Sequence, residues 1–191
     1  MFYKIVRTIA NIIIRPLFLL QIEGLENIPE DEGYIICANH KSNWDPVFLA
    51  ITFKEQIHFM GKKELFDIPV LSSILKGLGV FPVDRNGRDL KSLKYSIKLI
   101  KEGKNIGIMP EGTRTKTIDR SNMKDGVAYL ALKSKADILP VEIISSFHPF
   151  KKTYIYINKA IKASDYKNLK SREAMKLITD DLYKGIYKRQ L

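Results

Sequence analysis

Apolar residues recur along this chain with two alternating periods. Within residues 2–20, Phe2, Ile5, Val6, Ile9, Ile12, Ile13, Leu17 and Leu20 fall at spacings of three and four. Lys4, Arg7, Thr8, Asn11 and Arg15 take the complementary positions. This spacing predicts an amphipathic helix with one polar and one apolar face, and Pro16 is expected to kink it or end it near Arg15. Short apolar runs at 34–38, 57–60, 80–83, 106–109, 138–144 and 154–157 read as strands. Between them lie helical stretches. One covers 70–78 and runs out at Gly77 and Gly79. Another is marked by Leu90, Leu93, Ile97 and Ile100 and stopped by Gly103. A third spans 124–135, and a last one spans 171–188 with Met175, Ile178, Leu182 and Ile186 on one face. Strands separated by helices predict a single α/β domain with a mostly parallel central sheet covered on both faces, preceded by the N-terminal amphipathic helix. The division expected is residues 1–20 as that helix and residues 21–191 as the domain.

In a parallel sheet, sites form where the strands end at their carboxyl termini. Three polar loops follow predicted strands here, around His40, Arg85 and Arg114, so all three belong to one sheet edge. The first, Asn39-His40-Lys41-Ser42-Asn43-Trp44-Asp45-Pro46, carries a histidine and an aspartate five positions apart. Asp45 suits a helix N-cap and Pro46 the first helical turn. The same turn can bring the carboxylate back to the imidazole, which fixes the ring's tautomer and leaves its other nitrogen as a base. With no protein nucleophile beside the pair, the nucleophile would be a hydroxyl of the substrate. The plainer alternative is that Asp45 caps a helix and nothing more. Arg85, at a strand exit, offers a planar fork of donors suited to phosphate, or else pairs with Asp84. Pro110-Glu111-Gly112-Thr113-Arg114 packs a carboxylate, a flexible glycine and a guanidinium into one turn.

Composition narrows the partners. The 191 residues are enough for one core without staples. The single cysteine, Cys37, rules out an intrachain disulfide and sits inside an apolar run, so it reads as a buried small residue more than as a nucleophile. Arg7 and Arg15 interrupt the N-terminal apolar stretch, so no signal peptide is expected, and no uncharged run is long enough to span a bilayer. The net charge of +11 lies at the two ends: three basic and no acidic side chains in 1–20, eleven basic against four acidic in 151–191, and near-balance between. No nucleic-acid recognition motif accompanies this charge, so no nucleic-acid partner is expected. A basic polar face opposite a bulky apolar one describes a helix lying in a membrane interface; the alternative is a helix packed on the domain's own core. The basic carboxyl-terminal region would add to membrane attraction or dock an acidic carrier protein.

Taken together, four segments resemble the motif blocks of the glycerolipid acyltransferase family, and within it those of the bacterial 1-acylglycerol-3-phosphate acyltransferases. They are Asn-His-x-Ser-x-x-Asp-Pro at 39–46, Gly-Val-Phe-Pro-Val-Asp-Arg at 79–85, Pro-Glu-Gly-Thr-Arg at 110–114 and Leu-Pro-Val-Glu-Ile at 139–143. The resemblance covers roughly residues 22–160. It implies transfer of an acyl group from a thioester, on coenzyme A or acyl carrier protein, to the 2-hydroxyl of lysophosphatidic acid, giving phosphatidic acid. It also implies His40 as general base, Asp45 as its orienting acid and Arg85 as the acceptor's phosphate ligand. Glu111, Gly112, Thr113 and Arg114 would form the acceptor-binding block, and Pro140 would shape the site or the acyl path. No metal or cofactor is implied, and the place of action would be the cytoplasmic face of the cell membrane, with peripheral attachment. Met109 departs from the aromatic residue usual before the third block. The rival readings are an acyltransferase for another lysolipid or lipid precursor, a thioesterase or other hydrolase in which His40 activates water, and a non-catalytic lipid-binding module.

Overall fold

The computed structural model describes residues 1–30, 33–84 and 89–191. Seven strands form one sheet: β1 (Leu20–Glu23), β2 (Ile35–Ala38), β3 (Ile57–Lys62), β4 (Phe81–Val83), β5 (Asn105–Ile108), β6 (Ile138–Ile144) and β7 (Thr153–Ile157). Their order is β1-β7-β6-β2-β5-β3-β4. Every neighbouring pair is parallel except β6 and β7, which are joined by a short loop and run antiparallel. The expected mostly parallel sheet is therefore what the chain builds. Among the described residues six α-helices accompany it: α1 (Phe2–Leu17), α2 (Asp45–Thr52), α3 (Pro69–Gly77), α4 (Leu90–Lys101), α5 (Gly126–Ser134) and α6 (Ser171–Ile186).

The sheet buries apolar side chains on both faces, as an interior parallel sheet must. Ile35 and Cys37 of β2, Ile106 of β5 and Ile138 of β6 meet Leu99, Val127, Leu130, Ile178 and Leu182 from α4, α5 and α6. On the other face, Ile36, Ala38, Leu139, Val141 and Ile143 meet Phe48 and Leu49 of α2, together with Phe18 and Leu20. Alternate residues of one strand thus serve two cores, which follows from the two-residue period of a strand. β1 had not been read from sequence; it is only four residues long, and it pairs with β7.

α1 keeps the expected helical period but turns differently from the simple two-faced picture. It continues through Pro16 and ends at Leu17, one residue past the proline. No residue of it is fully buried. Arg7 and Asn11, expected on the polar face, turn toward the protein beside Val6, Ala10 and Ile14, whereas Phe2, Ile5, Ile9, Ile12 and Ile13 are exposed. The cause is visible at Arg7. Its Nε donates to the carbonyls of Ala50 (3.0 Å) and Phe53 (2.9 Å), and a terminal nitrogen reaches that of Ile51 at 3.4 Å. These are carbonyls at the carboxyl end of α2, where helix geometry leaves acceptors unpaired and the dipole favours a cation. Immediately after α1, Phe18 and Leu20 enter the core.

Candidate active site

The loop leaving β2 is held before it reaches its chemistry. Asn39 is fully buried; its Nδ2 donates to the Ile143 carbonyl (2.9 Å) and its Oδ1 accepts from the Ile143 amide (2.7 Å). This two-way amide contact locks the end of β2 to β6. His40 follows. Its Nδ1 lies 3.0 Å from Asp45 Oδ2. The same Oδ2 accepts the backbone amides of Lys41 and Ser42, each at 2.7 Å. Asp45 is 0% exposed, so its charge is stabilised by converging donors rather than by water.

One expectation for this turn is corrected. Asp45 is not a side-chain N-cap: it is the first residue of α2, Trp44 holds the capping position, and no side chain caps the helix. A single carboxylate cannot face forward to the helix amides and backward to the imidazole, and here it faces backward. Pro46 sits in the first turn, as expected. Because a carboxylate only accepts, Nδ1 carries the proton that it shares with Asp45, and Nε2 presents a lone pair. Among the described residues Nε2 has no protein partner, and the His40 side chain is 13% exposed.

The third loop comes to the same place from β5. The His40 amide approaches Glu111 Oε1 at 3.4 Å, and the Thr115 amide donates to the His40 carbonyl at 2.9 Å. Glu111 is buried, and Tyr187, just past α6, donates its hydroxyl to the same Oε1 at 2.6 Å. Burial raises the Glu111 carboxyl above the ordinary range, partly offset by the hydrogen bonds from Tyr187 and the His40 amide. The Tyr187 hydroxyl is likewise pushed up, first by burial and then by its bond to Glu111, so at neutral pH it remains a donor. Gly112 has a φ of +70°, a left-handed conformation suited to glycine, and a Cβ there would press on the Lys124 ammonium. Thr113 and Arg114 are exposed, and among the described residues Arg114 has no carboxylate partner.

Arg85 lies outside the described residues, as does the exit of the second motif beyond Asp84. Pro140 is not brought to the His40–Asp45 pair. It pairs in register with Cys37 inside the sheet, is buried, and lies under Gly185 of α6, where an added Cβ would come within 2.9 Å of it. Its place is therefore one of packing beneath α6. The fourth motif instead contributes Glu142. Fully buried, this carboxylate accepts from the Arg189 amide and guanidinium and from Gln190. Gln190 in turn accepts from Lys41 Nζ at 3.0 Å. Tyr187 and Glu142 carry no local sequence signal that marks them as site residues. Cys37 is 0% exposed, and burial, with the Glu111 charge adding to it, pushes its thiol well above the ordinary range. A thiol so placed is a poor nucleophile. His58 bonds to the Gly79 carbonyl.

The sequence matches the family model for Acyltransferase over residues 19–144. The chain belongs to the acyltransferase family. It is 34% identical over 173 residues to the 1-acyl-sn-glycerol-3-phosphate acyltransferase of Bacillus subtilis, covering 87% of this chain and 86% of that one. It is 35% identical over 139 residues to the enzyme of the same name from Borreliella burgdorferi, covering 71% of this chain but 55% of that protein. Among solved structures it superposes on the 1-acyl-sn-glycerophosphate (LPA) acyltransferase of Thermotoga maritima with a TM-score of 0.74 and 25% identity, covering 98% of this chain and 81% of that one. The segment matched by the family model contains His40, Asp45, Glu111 and Arg114, whereas Tyr187, which donates to Glu111, lies beyond it.

Proposed function

We propose that this acyltransferase moves a fatty acyl group from a thioester, on coenzyme A or acyl carrier protein, to the 2-hydroxyl of 1-acylglycerol 3-phosphate, producing phosphatidic acid. The observation that carries the reading is the oriented imidazole: Nδ1 bound to a carboxylate that is itself held by two backbone amides, with Nε2 open. In this reading Nε2 takes the proton from the acceptor hydroxyl as the oxygen attacks the thioester carbonyl. The carbon–sulfur bond then breaks, and the thiolate leaves with the proton returned from His40. Base catalysis of this kind is worth about 10²–10⁴ in rate. Asp45 holds the tautomer and stabilises the imidazolium that forms. No acyl-cysteine is involved, because Cys37 is buried and its thiol is held protonated.

Arg114 and Lys124, both exposed around Gly112, supply positive charge to the acceptor phosphate, a role that the family resemblance also gives to Arg85. Glu111 ties the His40 amide to Tyr187 through Oε1. The lipid product calls for attachment to a bilayer. No helix among the described residues is long and apolar enough to cross one, whereas α1 exposes a row of bulky apolar side chains with Lys4 and Arg15 among them. We therefore assign α1 to the interface of an anionic membrane at its cytoplasmic face. The test is the purified protein with an acyl thioester and a panel of lysolipids with and without phosphate head groups. Phosphatidic acid formed in step with free thiol supports the reading. Thiol release without acylated acceptor would make the protein a hydrolase, and preference for a phosphate-free lysolipid would overturn the acceptor assignment.

A further inference from the structure

Two surfaces that flank α1 expose apolar side chains that no other described residue covers. The first is α3 and the turn before it. α3 buries one residue, and that residue is a serine, Ser72. Leu71 and Leu75 are half-buried, while Val70, 74% exposed, and Ile74 point out, with Leu65 and Ile68 exposed beside them. A surface helix ordinarily keeps its apolar residues on the inward stripe, and Val70 and Ile74 lie outside it. The aromatic ring of Phe2, at the start of α1, packs against Gly77 at the end of α3, where an added Cβ would lie 2.8 Å from it. The exposed stripe of α1 and that of α3 thus belong to touching helices.

The second surface lies at the other end of α1. The Phe150 amide donates to the Leu17 carbonyl at 2.6 Å, and the Thr153 amide to that of Phe18. Phe150, in the loop between β6 and β7, is 74% exposed and followed by the exposed Lys151 and Lys152. Its φ is +61°, and that of Phe147 is +59°. Bulky residues rarely adopt this left-handed conformation, and here it is held by the Phe150 amide on Leu17 and the Phe147 amide on Ser145 Oγ. Phe147 stacks on Phe48, which also contacts Phe18 and Trp44, the residue beside Asp45. The loop therefore adjoins both α1 and the catalytic turn.

We propose that α3 and the β6–β7 loop extend the membrane-binding face beyond α1, seating both ends of that helix on an anionic lipid surface. This rests on the assignment of α1 given above. The occupant follows from chemistry on the surface itself. Exposed Ile, Val and Phe side chains are interleaved with Lys4, Arg15, Lys76, Lys151 and Lys152, the combination that suits acyl chains beneath anionic head groups. Phe150 acts as an apolar wedge flanked by two lysines, and Val70 and Ile74 as a second insertion point.

The experiment uses the full chain and three variants: Val70→Glu/Ile74→Glu, Phe150→Asn, and Ile9→Glu/Ile13→Glu in α1 as reference. Co-sedimentation with vesicles of equal phosphatidylglycerol and phosphatidylcholine gives partition coefficients, and thermal melts and sedimentation velocity without lipid accompany them. The α3 and Phe150 variants should each partition about tenfold more weakly with the melting temperature retained, since asparagine tolerates the left-handed conformation at 150 better than phenylalanine does. Wild-type partitioning by both, with binding lost only in the α1 variant, overturns this extension and leaves the α1 assignment intact. Wild-type partitioning by the α1 variant overturns that assignment instead. A lipid-free dimer that the α3 variant splits without loss of vesicle binding makes this face a contact between copies, and also overturns the proposal.

Discussion

The sheet edge at His40 and the rim around α1 depart from ordinary burial in opposite directions. At the edge, charged and polar groups are inside: Asp45, Asn39, Glu111 and Glu142 are all buried, each receiving hydrogen bonds from backbone or side-chain donors. At the rim, bulky apolar groups are outside, from Phe2 and Ile9 to Val70 and Phe150. Burying a carboxylate costs free energy unless donors converge on it, and exposing Val, Ile and Phe forgoes about 1.5–3 kcal/mol each. Two neighbouring regions that both forgo stability, one to hold charge in place and one to meet something apolar, describe an enzyme whose chemistry is polar and whose substrate is a lipid.

Changes at the polar edge should cost turnover. The largest expected effect short of removing the imidazole is at Asp45. Asp45→Asn preserves the shape but ends acceptance by a carboxylate at Nδ1 and the two amides, and turnover should fall about 10³–10⁴-fold. Recovery of more than a tenth of wild-type turnover would show that the tautomer is set elsewhere. Tyr187→Phe is a subtler probe. It leaves the buried Glu111 with one donor fewer and loosens the His40 amide, so the melting temperature should drop by the equivalent of about 1–2 kcal/mol, with kcat lowered roughly tenfold and KM little changed. A rise in KM alone would move Tyr187 from the positioning of His40 to the binding of substrate.

At the rim, effects should appear in attachment and stability while chemistry persists. Arg7→Ala deprives the carboxyl end of α2 of its cation and should cost about 1–2 kcal/mol, while activity on detergent-dispersed acceptor is retained. Complete loss of that activity would place α1 inside the catalytic unit. The smallest effect is one of pH. The carboxyl of Glu111 is held above its ordinary value near 4.5 by burial. Between its unfolded and folded values the folded chain holds more protons, so stability falls as pH rises through that window. Glu111→Gln removes this titration. Melts from pH 4 upward should show wild type losing ground to the variant; a constant difference would mean that the carboxyl is not raised.

These regions also differed in how far they could be read from sequence. The sheet, its parallel character and the convergence of the His40 and Glu111 loops followed from period and order, because a buried strand and a βα turn are local patterns. The period of α1 was equally legible, but its rotation was not: Arg7 turns inward because unpaired carbonyls of α2 wait there, and those are more than forty residues away. For Asp45 the sequence offered both a helix cap and a carboxylate turned back to the imidazole, and only the folded turn decides between them. Pro140 was named by resemblance as shaping the site or the acyl path, and what the fold adds is its register with Cys37 and its contact with Gly185 of α6. Tyr187 and Glu142 escaped notice because their partners, Glu111 and Arg189, are 76 and 47 residues distant. Contacts of that range leave no mark in a local pattern.

The central claim is that an imidazole oriented by Asp45 deprotonates the acceptor hydroxyl, and the rate of acyl transfer by His40→Ala tests it most directly. Initial rates would be measured with saturating acyl thioester and lysophosphatidic acid, on protein whose melt and vesicle binding match wild type. Because the imidazole supplies the base while the sheet and the membrane face are untouched, the variant should bind lipid normally and turn over at least about 10³-fold more slowly. Turnover within a few-fold of wild type would contradict the account, and would mean that the buried pair orients the loop without taking the proton.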